Sequence, residues 1–181
     1  MNQRLLTRIR QGDTQAFAQM VTQLQHPLFS YLGRMGLEQA VAEDIAQETF
    51  IRAWQARDRF DEERSAYSTW IFTIARRLAI NELERSWRYH ERAEADNEQL
   101  VSDDGLLNQP HSQLQIQEVR LRLQAALNAL PVHERSLLAL AYINGLELAD
   151  IARIEDIPTG TVKSRLHRIR SKLKTLIGSP E

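Results

Sequence analysis

A basic amphipathic segment near the C-terminus, from Thr159 to Leu176, constrains the fold more than any other part of the sequence. Its apolar residues recur at steps of four and three, which is the spacing of one face of an α-helix. These residues are Val162, Leu166, Ile169, Leu173 and Leu176.

The other face of the segment is almost entirely basic, and no acidic residue occurs from Thr159 to Pro180. Its cations, which surround His167, are Lys163, Arg165, Arg168, Arg170, Lys172 and Lys174. The segment therefore predicts a helix that packs one face on a core and offers the other to a polyanion.

A short helix and a turn are predicted immediately before this segment. Leu148 to Ile154 has helical spacing, Pro158 cannot continue that helix, and Thr159 can cap the next one. Helix, turn and basic helix is the arrangement of a helix-turn-helix, whose second helix enters the major groove of DNA. A basic amphipathic helix alone is also compatible with a solvated face or a membrane surface. The preceding helix and turn favour DNA.

The composition favours an all-α protein. Glycine and proline are few, at 7 and 5 residues, and the sequence is rich in Ala, Leu, Gln, Glu and Arg. The formal net charge of −1 hides an asymmetry, because the basic C-terminus is offset by acidic stretches at Glu43 to Glu48 and Glu91 to Asp104. The chain has no cysteine, which excludes disulfides and Cys-ligated zinc. No membrane-length apolar run or secretion signal is present, so we expect a cytoplasmic protein.

The N-terminal part predicts three helical stretches. Asp13 is expected to cap a helix, and a separate segment follows Pro27 and ends at Gly36. A third helix is expected from about Glu38 to Ala56, with an acidic outer face that includes Asp44, Gln47 and Glu48. Such a face is most often simply solvated.

A long helix is expected from about Tyr67 to Arg88. Its core stripe starts at Trp70, and its outer face mixes cations with aromatic rings, an arrangement that suits phosphates and an unstacked base. These outer residues are Arg76, Arg77, Arg85, Trp87, Arg88 and Tyr89. Plain packing is the alternative explanation for the aromatic residues, above all for Trp70.

We predict two small helical domains joined by a flexible acidic linker. The boundaries are 1–92 for the first domain, 93–113 for the linker and 114–181 for the second domain. The linker loses helical periodicity and gains acidic residues, Gly, Asn and Pro. In the second domain Pro131 ends one helix and Gly145 ends the next.

Two strings resemble the bacterial RNA polymerase sigma factors, specifically the small extracytoplasmic-function (ECF) group. GL-x-x-x-DIA, from Gly145 to Ala152, is followed by IPTGTVKSRLHRIRSKL from Ile157 to Leu173, and TVKSRLHR is highly specific for the group. AEDIAQETFIRAW, from Ala42 to Trp54, resembles the segment with which sigma factors grip the polymerase clamp. The resemblance covers nearly the whole chain.

The resemblance implies a factor that binds core RNA polymerase and directs promoter-specific transcription initiation. The implied partners are core polymerase, at its clamp coiled coil and flap, and promoter DNA; whether an anti-sigma factor sequesters the chain stays open. Base edges of the minus-thirty-five element would be read by Lys163, Ser164, His167 and Arg168, with Thr161 and Arg165 on phosphates. The minus-ten element would be bound and melted by Trp70, Arg76, Arg77, Arg85, Trp87 and Arg88. Core polymerase would be bound by Asp44, Gln47 and Glu48.

The sequence departs from the family pattern at both ends of the first helix of the helix-turn-helix. Glu147 stands where Ser often caps that helix, and Asp156 stands where Gly often follows it. Asp tolerates left-handed geometry better than most residues, so we expect the turn to form under some strain.

The sequence offers no sign of enzyme chemistry. The five histidines are scattered without a carboxylate partner or metal-ligand spacing: His26, His90, His111, His133 and His167. There is no phosphate-binding Gly loop or nucleophile elbow, so we expect no cofactor and no metal. The remaining rival is a stand-alone helix-turn-helix regulator, which would bind duplex tightly without polymerase.

Overall fold

The computed structural model describes residues 3–94, 121–143 and 145–177, and all its regular elements in these ranges are helical. The all-α prediction is confirmed. The helices are α1 (Gln3–Arg10), α2 (Thr14–Arg34), α3 (Gln39–Gln55), a 3-10 turn (Arg57–Arg59), α4 (Tyr67–Glu94), α5 (121–128), α6 (Val132–Ile143), α7 (Leu148–Glu155) and α8 (Thr159–Ile177). We call α1–α4 the N-terminal half and α5–α8 the C-terminal half. The predicted linker lies outside the described residues except for 93 and 94, which belong to α4.

Helix α1 precedes the first predicted helix and is tied to it through Asp13. The Asp13 carboxylate accepts hydrogen bonds from the amides of Gln15 and Ala16, at 2.9 and 3.1 Å, which confirms the predicted cap. Arg8 of α1 reaches the same carboxylate at 2.7 Å. The hydrogen bond from the Ala16 amide, followed by that from Arg8, holds the pKa of Asp13 below its usual value. Leu6 and Ile9 bury the other face of α1.

Helix α2 runs without a break through Pro27, and the predicted separation into two segments is wrong. Proline removes one backbone donor, so the carbonyl of Gln23 one turn earlier loses its helical partner. Gln23 is exposed, and water can satisfy that carbonyl. The buried stripe continues across the proline from Met20 to Leu28 and Tyr31, and this packing holds the helix together.

Three aromatic rings pack together between the loop that follows α3 and the start of α4. Phe60 lies 4.7 Å from Tyr67 and 5.4 Å from Trp70, measured between ring centroids, and Tyr67 lies 5.2 Å from Trp70. Phe60 and Tyr67 are almost fully buried, so they pin a polar loop to the start of α4. The Tyr67 hydroxyl is buried without a hydrogen-bond partner, and burial raises the pKa of Tyr67 to about 12.

The turn between α7 and α8 has the geometry of a Schellman motif. Asp156 adopts the left-handed conformation, with φ 56° and ψ 46°. The amide of Ile157 donates to the carbonyl of Ala152 at 3.0 Å, and the amide of Asp156 donates to that of Arg153 at 3.4 Å. The expectation that Asp156 accepts the left-handed position is confirmed. Glu147 precedes α7 without a capping hydrogen bond from its side chain.

Pro158, not Thr159, precedes α8. The Pro158 carbonyl accepts from the amides of Thr161 and Val162, at 2.9 and 3.1 Å, and Thr159 is the first helical residue. The cap predicted at Thr159 is therefore one residue late. Proline already has a backbone angle suited to a helix start, and its missing N–H is not needed there.

The two halves pack against each other around one continuous apolar core. Helix α4 packs on α7, and α2 packs on α6. Residues from both halves belong to the same buried cluster, including Tyr31 and Phe72 from the N-terminal half and Leu137, Leu140 and Ile151 from the C-terminal half. The structure places α4 beside the helix-turn-helix, and the sequence alone does not predict this placement of the halves.

Candidate nucleic-acid interface

Helix α8 separates its two faces as the sequence predicts. Val162, Leu166 and Ile169 are buried against α6 and α7. The four residues predicted to face base edges are all exposed: Lys163, Ser164, His167 and Arg168. Thr161 and Arg165, predicted on phosphates, are half-buried at the border of this face. The first three turns of α8 thus offer donors and acceptors to a groove while their apolar side fixes the orientation of the helix.

Glu134 of α6 faces the basic surface of α8, and sequence reasoning did not anticipate it. Its carboxylate lies 3.2 Å from the Arg168 guanidinium and 3.6 Å from the Lys172 ammonium. Arg168 itself stays 70% exposed. An acidic residue therefore sits beside a cation that is predicted to read a base. No local pattern in α6 signals this, because the pair joins residues 34 positions apart.

The cations in the second half of α8 differ in their contacts. Arg170 donates a hydrogen bond to the hydroxyl of Tyr142, and its guanidinium lies 5.3 Å from the centroid of the same ring. Tyr142 is 57% exposed, so the stacked pair remains at the surface. Lys174 is exposed.

Helix α4 spreads the six predicted minus-ten residues over different environments. Arg77, Arg85, Trp87 and Arg88 are exposed, with Trp87 at 68%. Trp70 is half-buried in the aromatic cluster with Phe60 and Tyr67. Arg76 points into the junction between the halves, where its side chain is only 14% exposed. Four of the six side chains are thus accessible to a ligand.

The accessible part of α4 ends beside an apolar cavity. Trp87 and Arg88 line a cavity of about 470 Å³ between α4 and α6, together with Ile80, Leu83, Glu84, Val132 and His133.

Two of the exposed arginines make contacts within α4. Arg85 pairs with Glu82 at 3.0 Å, and Arg88 donates to the backbone carbonyl of Glu84 at 3.2 Å. These contacts are exposed and leave the guanidinium groups accessible to phosphate.

The acidic face of α3 lies on the outside of the N-terminal half. Asp44 and Gln47 are exposed, and Glu48 is partly exposed in an ion pair with Arg52 at 2.6 Å. The opposite side of α3 is buried through Ala42, Ile45 and Ala46 among others. A partner surface can therefore reach the Asp44, Gln47 and Glu48 side chains without any change in the core.

A buried polar chain, which we call the inter-half network, joins four helices. Arg76 of α4 pairs with Glu155 of α7 at 2.9 Å, and the other oxygen of Glu155 accepts a hydrogen bond from Ser136 of α6. The Ser136 hydroxyl lies 2.8 Å from the hydroxyl of Tyr31 on α2. Because the one proton of Ser136 goes to Glu155, Tyr31 must be the donor to Ser136. Burial raises the pKa of Tyr31 far above its usual value.

Sequence reasoning missed this network, although one signal was available. Glu155 follows Ile151 by four positions and therefore lies on the buried stripe of α7, where its side chain is 1% exposed. A carboxylate at such a position requires a buried cationic or donor partner. The sequence does not say which residue supplies it.

The described residues form neither a metal-binding cluster nor a membrane-spanning helix. Across 3–94, 121–143 and 145–177, no group of three or more His, Cys, Asp or Glu side chains could hold a metal ion. In the same ranges, none of the helices combines the length and the apolar character needed to cross a membrane.

Comparison with family models and known proteins gives matches along most of the chain. Residues 20–89 match the family described as Sigma-70 region 2, and residues 120–173 match Sigma-70, region 4. ECF RNA polymerase sigma factor SigW of Bacillus subtilis is 35% identical and covers 96% of this chain and 95% of its own length. The ECF RNA polymerase sigma-E factor of Escherichia coli K12 is 32% identical, with 95% and 92% covered.

Two solved structures share the fold. One is CnrH in complex with the cytosolic domain of CnrY, at 22% identity and a TM-score of 0.68, covering 96% of this chain and 94% of that one. The other is the sigma factor RpoE in complex with the anti-sigma factor NepR from Bartonella quintana, at 24% identity and a TM-score of 0.67. It covers 89% of this chain and 96% of that one.

Proposed function

This chain belongs to the ECF group of RNA polymerase sigma factors, and from that membership we propose how its surfaces divide the work of promoter-specific initiation. The factor joins core RNA polymerase and directs it to promoters. The C-terminal half binds the minus-thirty-five element, and the N-terminal half binds and melts the minus-ten element. The observation that carries the assignment is the exposed row of Lys163, Ser164, His167 and Arg168 on a helix whose opposite face is locked in the core.

In the C-terminal half, α8 lies in the major groove with its first turns deepest. Arg168 suits bidentate bonds to a guanine, and Lys163 and His167 suit acceptors on base edges. Thr161 and Arg165, at the border of the face, hold phosphates and fix the register. Lys172 and Lys174 follow later in α8 and add attraction without sequence preference.

In the N-terminal half, α4 supplies the cations and rings for melted DNA. Arg77, Arg85 and Arg88 neutralise the backbone, while Trp87 offers an exposed face on which an unpaired base can stack. Trp70 acts from within its aromatic cluster by shaping the loop before α4. Arg76 joins this set only when it leaves the inter-half network.

Helix α3 supplies the contact with core polymerase. Asp44, Gln47 and Glu48 lie within about one turn and face outward together, so they can meet a basic surface on the polymerase clamp. Charges of this kind mainly set the rate and orientation of association. The flap of the polymerase is the corresponding partner of the C-terminal half.

Regulation by an anti-sigma factor fits this assignment, because one solved relative of the same fold is described in complex with one. The factor itself carries no catalytic step, and the polymerisation chemistry belongs to the polymerase. Its place of action is the cytoplasm, where polymerase and promoter DNA are.

The direct test is transcription in vitro from a promoter library with core polymerase, with and without this chain. We expect promoter-specific transcripts only when both are present. As a control, the chain alone is titrated onto the selected promoters at physiological salt. Tight sequence-specific binding without polymerase, combined with no stimulation of transcription, would contradict the proposal and favour a stand-alone regulator.

A further inference from the structure

A second cavity lies between the end of α2 and helices α5, α6 and α8, and none of the surfaces assigned above uses it. Its volume is about 520 Å³, within the range of roughly 300 to 1,000 Å³ that is typical of small-molecule sites. Gly33, Arg34 and Gly36 form the wall at the end of α2, and the other walls come from the C-terminal half. The cavity is therefore large enough for a small organic ligand.

Three arginines line this cavity, and none of the described residues that line it is acidic. We call it the arginine cavity. Arg34 comes from α2, Arg135 from α6 and Arg170 from α8. Within the described part of the chain, the guanidinium groups of Arg34 and Arg135 have no hydrogen-bond or ion-pair partner. Positive charge that is concentrated in a concave site and is not compensated by the protein attracts an anion.

Arg135 is both held in place and incompletely satisfied. Gly36 has a φ of 94°, and a Cβ at Gly36 would lie only 2.6 Å from Nη1 of Arg135, so this guanidinium lies directly against the Gly36 backbone. The Arg135 side chain is half-buried, and its Nε is buried without a hydrogen-bond partner. Burial lowers the pKa of Arg135, because it removes water from the charge. A bound anion would compensate this loss of hydration.

Arg170 is fixed beside the same cavity by Tyr142. It donates a hydrogen bond from Nε to the Tyr142 hydroxyl, and its guanidinium lies 5.3 Å from the centroid of that ring. A guanidinium has further N–H donors that this single bond does not use. Arg170 is thus oriented by the protein and still able to bind a ligand.

The rest of the lining suits an organic anion better than an inorganic one. Leu127, Leu138 and Leu173 give the cavity an apolar wall on which a ring can pack. Gln124 and Asn128 line it with side-chain amides, which hydrogen-bond to each other at 3.3 Å. Such amides both donate and accept, so they can bind the polar edge of a ring.

We propose that the arginine cavity binds a small organic phosphate that carries a ring, such as a nucleotide. The three arginines face its phosphate, because the planar fork of a guanidinium matches phosphate oxygens. The three leucines pack against its ring. The inference does not depend on the proposed function, since it needs only the charge and the shape of the cavity. Because Arg170 belongs to α8, the ligand would also contact the helix assigned to the minus-thirty-five element.

The test measures binding of defined probes to the full-length chain by calorimetry, and their position by NMR. Phenyl phosphate, which is a ring with one phosphate, and GDP should bind saturably and shift the side-chain amide signals of Gln124 and Asn128. Inorganic phosphate should bind about tenfold more weakly or worse, because it lacks the ring that packs on the leucines. Dodecanoate tests a carboxylate with an aliphatic tail, and a single-stranded oligonucleotide tests a phosphate that belongs to nucleic acid.

Variants of the arginines show whether the probes bind in this cavity. Arg34→Gln and Arg135→Gln should each raise the dissociation constant of phenyl phosphate about tenfold, because each removes charged hydrogen bonds to the phosphate. The matched control is Arg59→Gln, which removes an exposed arginine of the 3-10 turn and should change nothing. Circular dichroism shows whether each variant remains folded. Arg34 is exposed, so Arg34→Gln decides the outcome if Arg135→Gln does not fold.

Four results would overturn the proposal. The first is a lack of saturable binding of phenyl phosphate and GDP at millimolar concentrations. The second is binding that the arginine variants leave as strong as the Arg59→Gln control does. The third is inorganic phosphate or dodecanoate that binds as tightly as phenyl phosphate. The fourth is an oligonucleotide that displaces GDP from the Gln124 and Asn128 amides and binds there more tightly, which would assign the cavity to nucleic acid.

Discussion

The carboxylate of Glu134 on α6 lies 3.2 Å from the guanidinium of Arg168 on α8, within the surface proposed to read the minus-thirty-five element. The side chain of Glu134 is only 15% exposed, so its packing restricts it more than that of a surface carboxylate. Its second oxygen is buried without a hydrogen-bond partner, although the Lys172 ammonium lies 3.6 Å away. A fixed negative charge therefore opposes the approach of phosphates at this point.

Replacement of Glu134 by Gln should strengthen promoter binding without changing which sequence is preferred. Removing one anion that competes for Arg168 and Lys172 is worth about 0.5 to 1 kcal/mol at a partly screened site, or roughly two- to fivefold in affinity. The measurement is holoenzyme binding to wild-type and shuffled minus-thirty-five elements. Asp58→Asn, at an exposed position of the 3-10 turn, is the control. Loss of selectivity at one or two base pairs would show instead that Glu134 positions Arg168.

Replacement of Arg168 by Ala and of Lys172 by Ala should have different signatures. Arg168→Ala is expected to cost about 1 to 3 kcal/mol at the cognate element and to relax selectivity at one or two base pairs. Lys172→Ala should weaken all sequences alike and make the salt dependence shallower. Promoter output is measured on an element randomised one position at a time. If Arg168→Ala lowered promoter output by the same factor on every sequence, Arg168 would not read a base.

Charge reversal of Asp44 and Glu48 to Lys should weaken association with core polymerase. Both side chains face outward, and the ion pair of Glu48 with Arg52 is an exposed pair worth about 0.3 to 0.5 kcal/mol, so folding stability should fall only slightly. Competition for core enzyme against the wild-type factor measures the effect. The variant Glu62→Lys with Glu63→Lys makes the same charge change in the loop before α4 and serves as control. If the α3 double variant competed for core enzyme as well as the loop double variant, the acidic face of α3 would have no role in binding polymerase.

Replacement of Asp156 by Gly should raise the free energy of unfolding. Asp156 holds the left-handed position of the Schellman motif, where an L-residue is strained and glycine is not. The gain expected from strain relief is about 0.5 to 1 kcal/mol, reduced by the greater freedom of glycine in the unfolded chain. Urea unfolding monitored by circular dichroism gives the difference. If the free energy of unfolding fell instead, the Asp156 side chain would stabilise the fold by more than its left-handed backbone conformation destabilises it.

Replacement of Tyr67 by Phe should protect the fold at alkaline pH. The folded-state pKa of Tyr67 is raised to about 12, so its contribution to stability is present below the unfolded value near 10 and is lost as pH rises towards 12. The buried hydroxyl has no hydrogen-bond partner, so its removal should cost nothing at pH 7 and can stabilise by about 1 kcal/mol. Unfolding is compared at pH 7 and between pH 10 and 12. Tyr31→Phe is the contrasting variant, because its hydroxyl is bonded and its loss should destabilise at pH 7.

Local patterns predicted most of the helices and the helix-turn-helix. Spacing alone identified the buried stripe of α8, and the Asp13 cap followed from its position before an apolar run. Pro27 misled the prediction because the rule on proline describes an isolated helix, whereas burial of Leu28 and Tyr31 keeps α2 continuous. Pro158 displaced the predicted cap because a carbonyl can close the first turn without a side chain.

Contacts between distant residues could not be predicted in the same way. Tyr31 and Ser136 are 105 positions apart, and the sequence contains nothing that pairs them. The sequence predicts similar exposure for all the cations on the outer face of α4. Packing against α7, however, buries most of Arg76 and leaves Arg77 exposed. One face of a helix can be derived from spacing; which neighbour covers part of that face depends on the whole fold.

The single core shared by both halves bears on how this factor competes with other sigma factors. If polymerase binds only chains whose two halves have separated, which we call open, the measured dissociation constant equals the intrinsic one divided by the open fraction. An open fraction of about one per cent would weaken apparent affinity about a hundredfold. Substitutions at Leu137 or Leu140, which are buried in this core, would then shift the share of polymerase that the factor captures. Selection on interior packing could thereby set the strength of the transcriptional response at constant protein abundance.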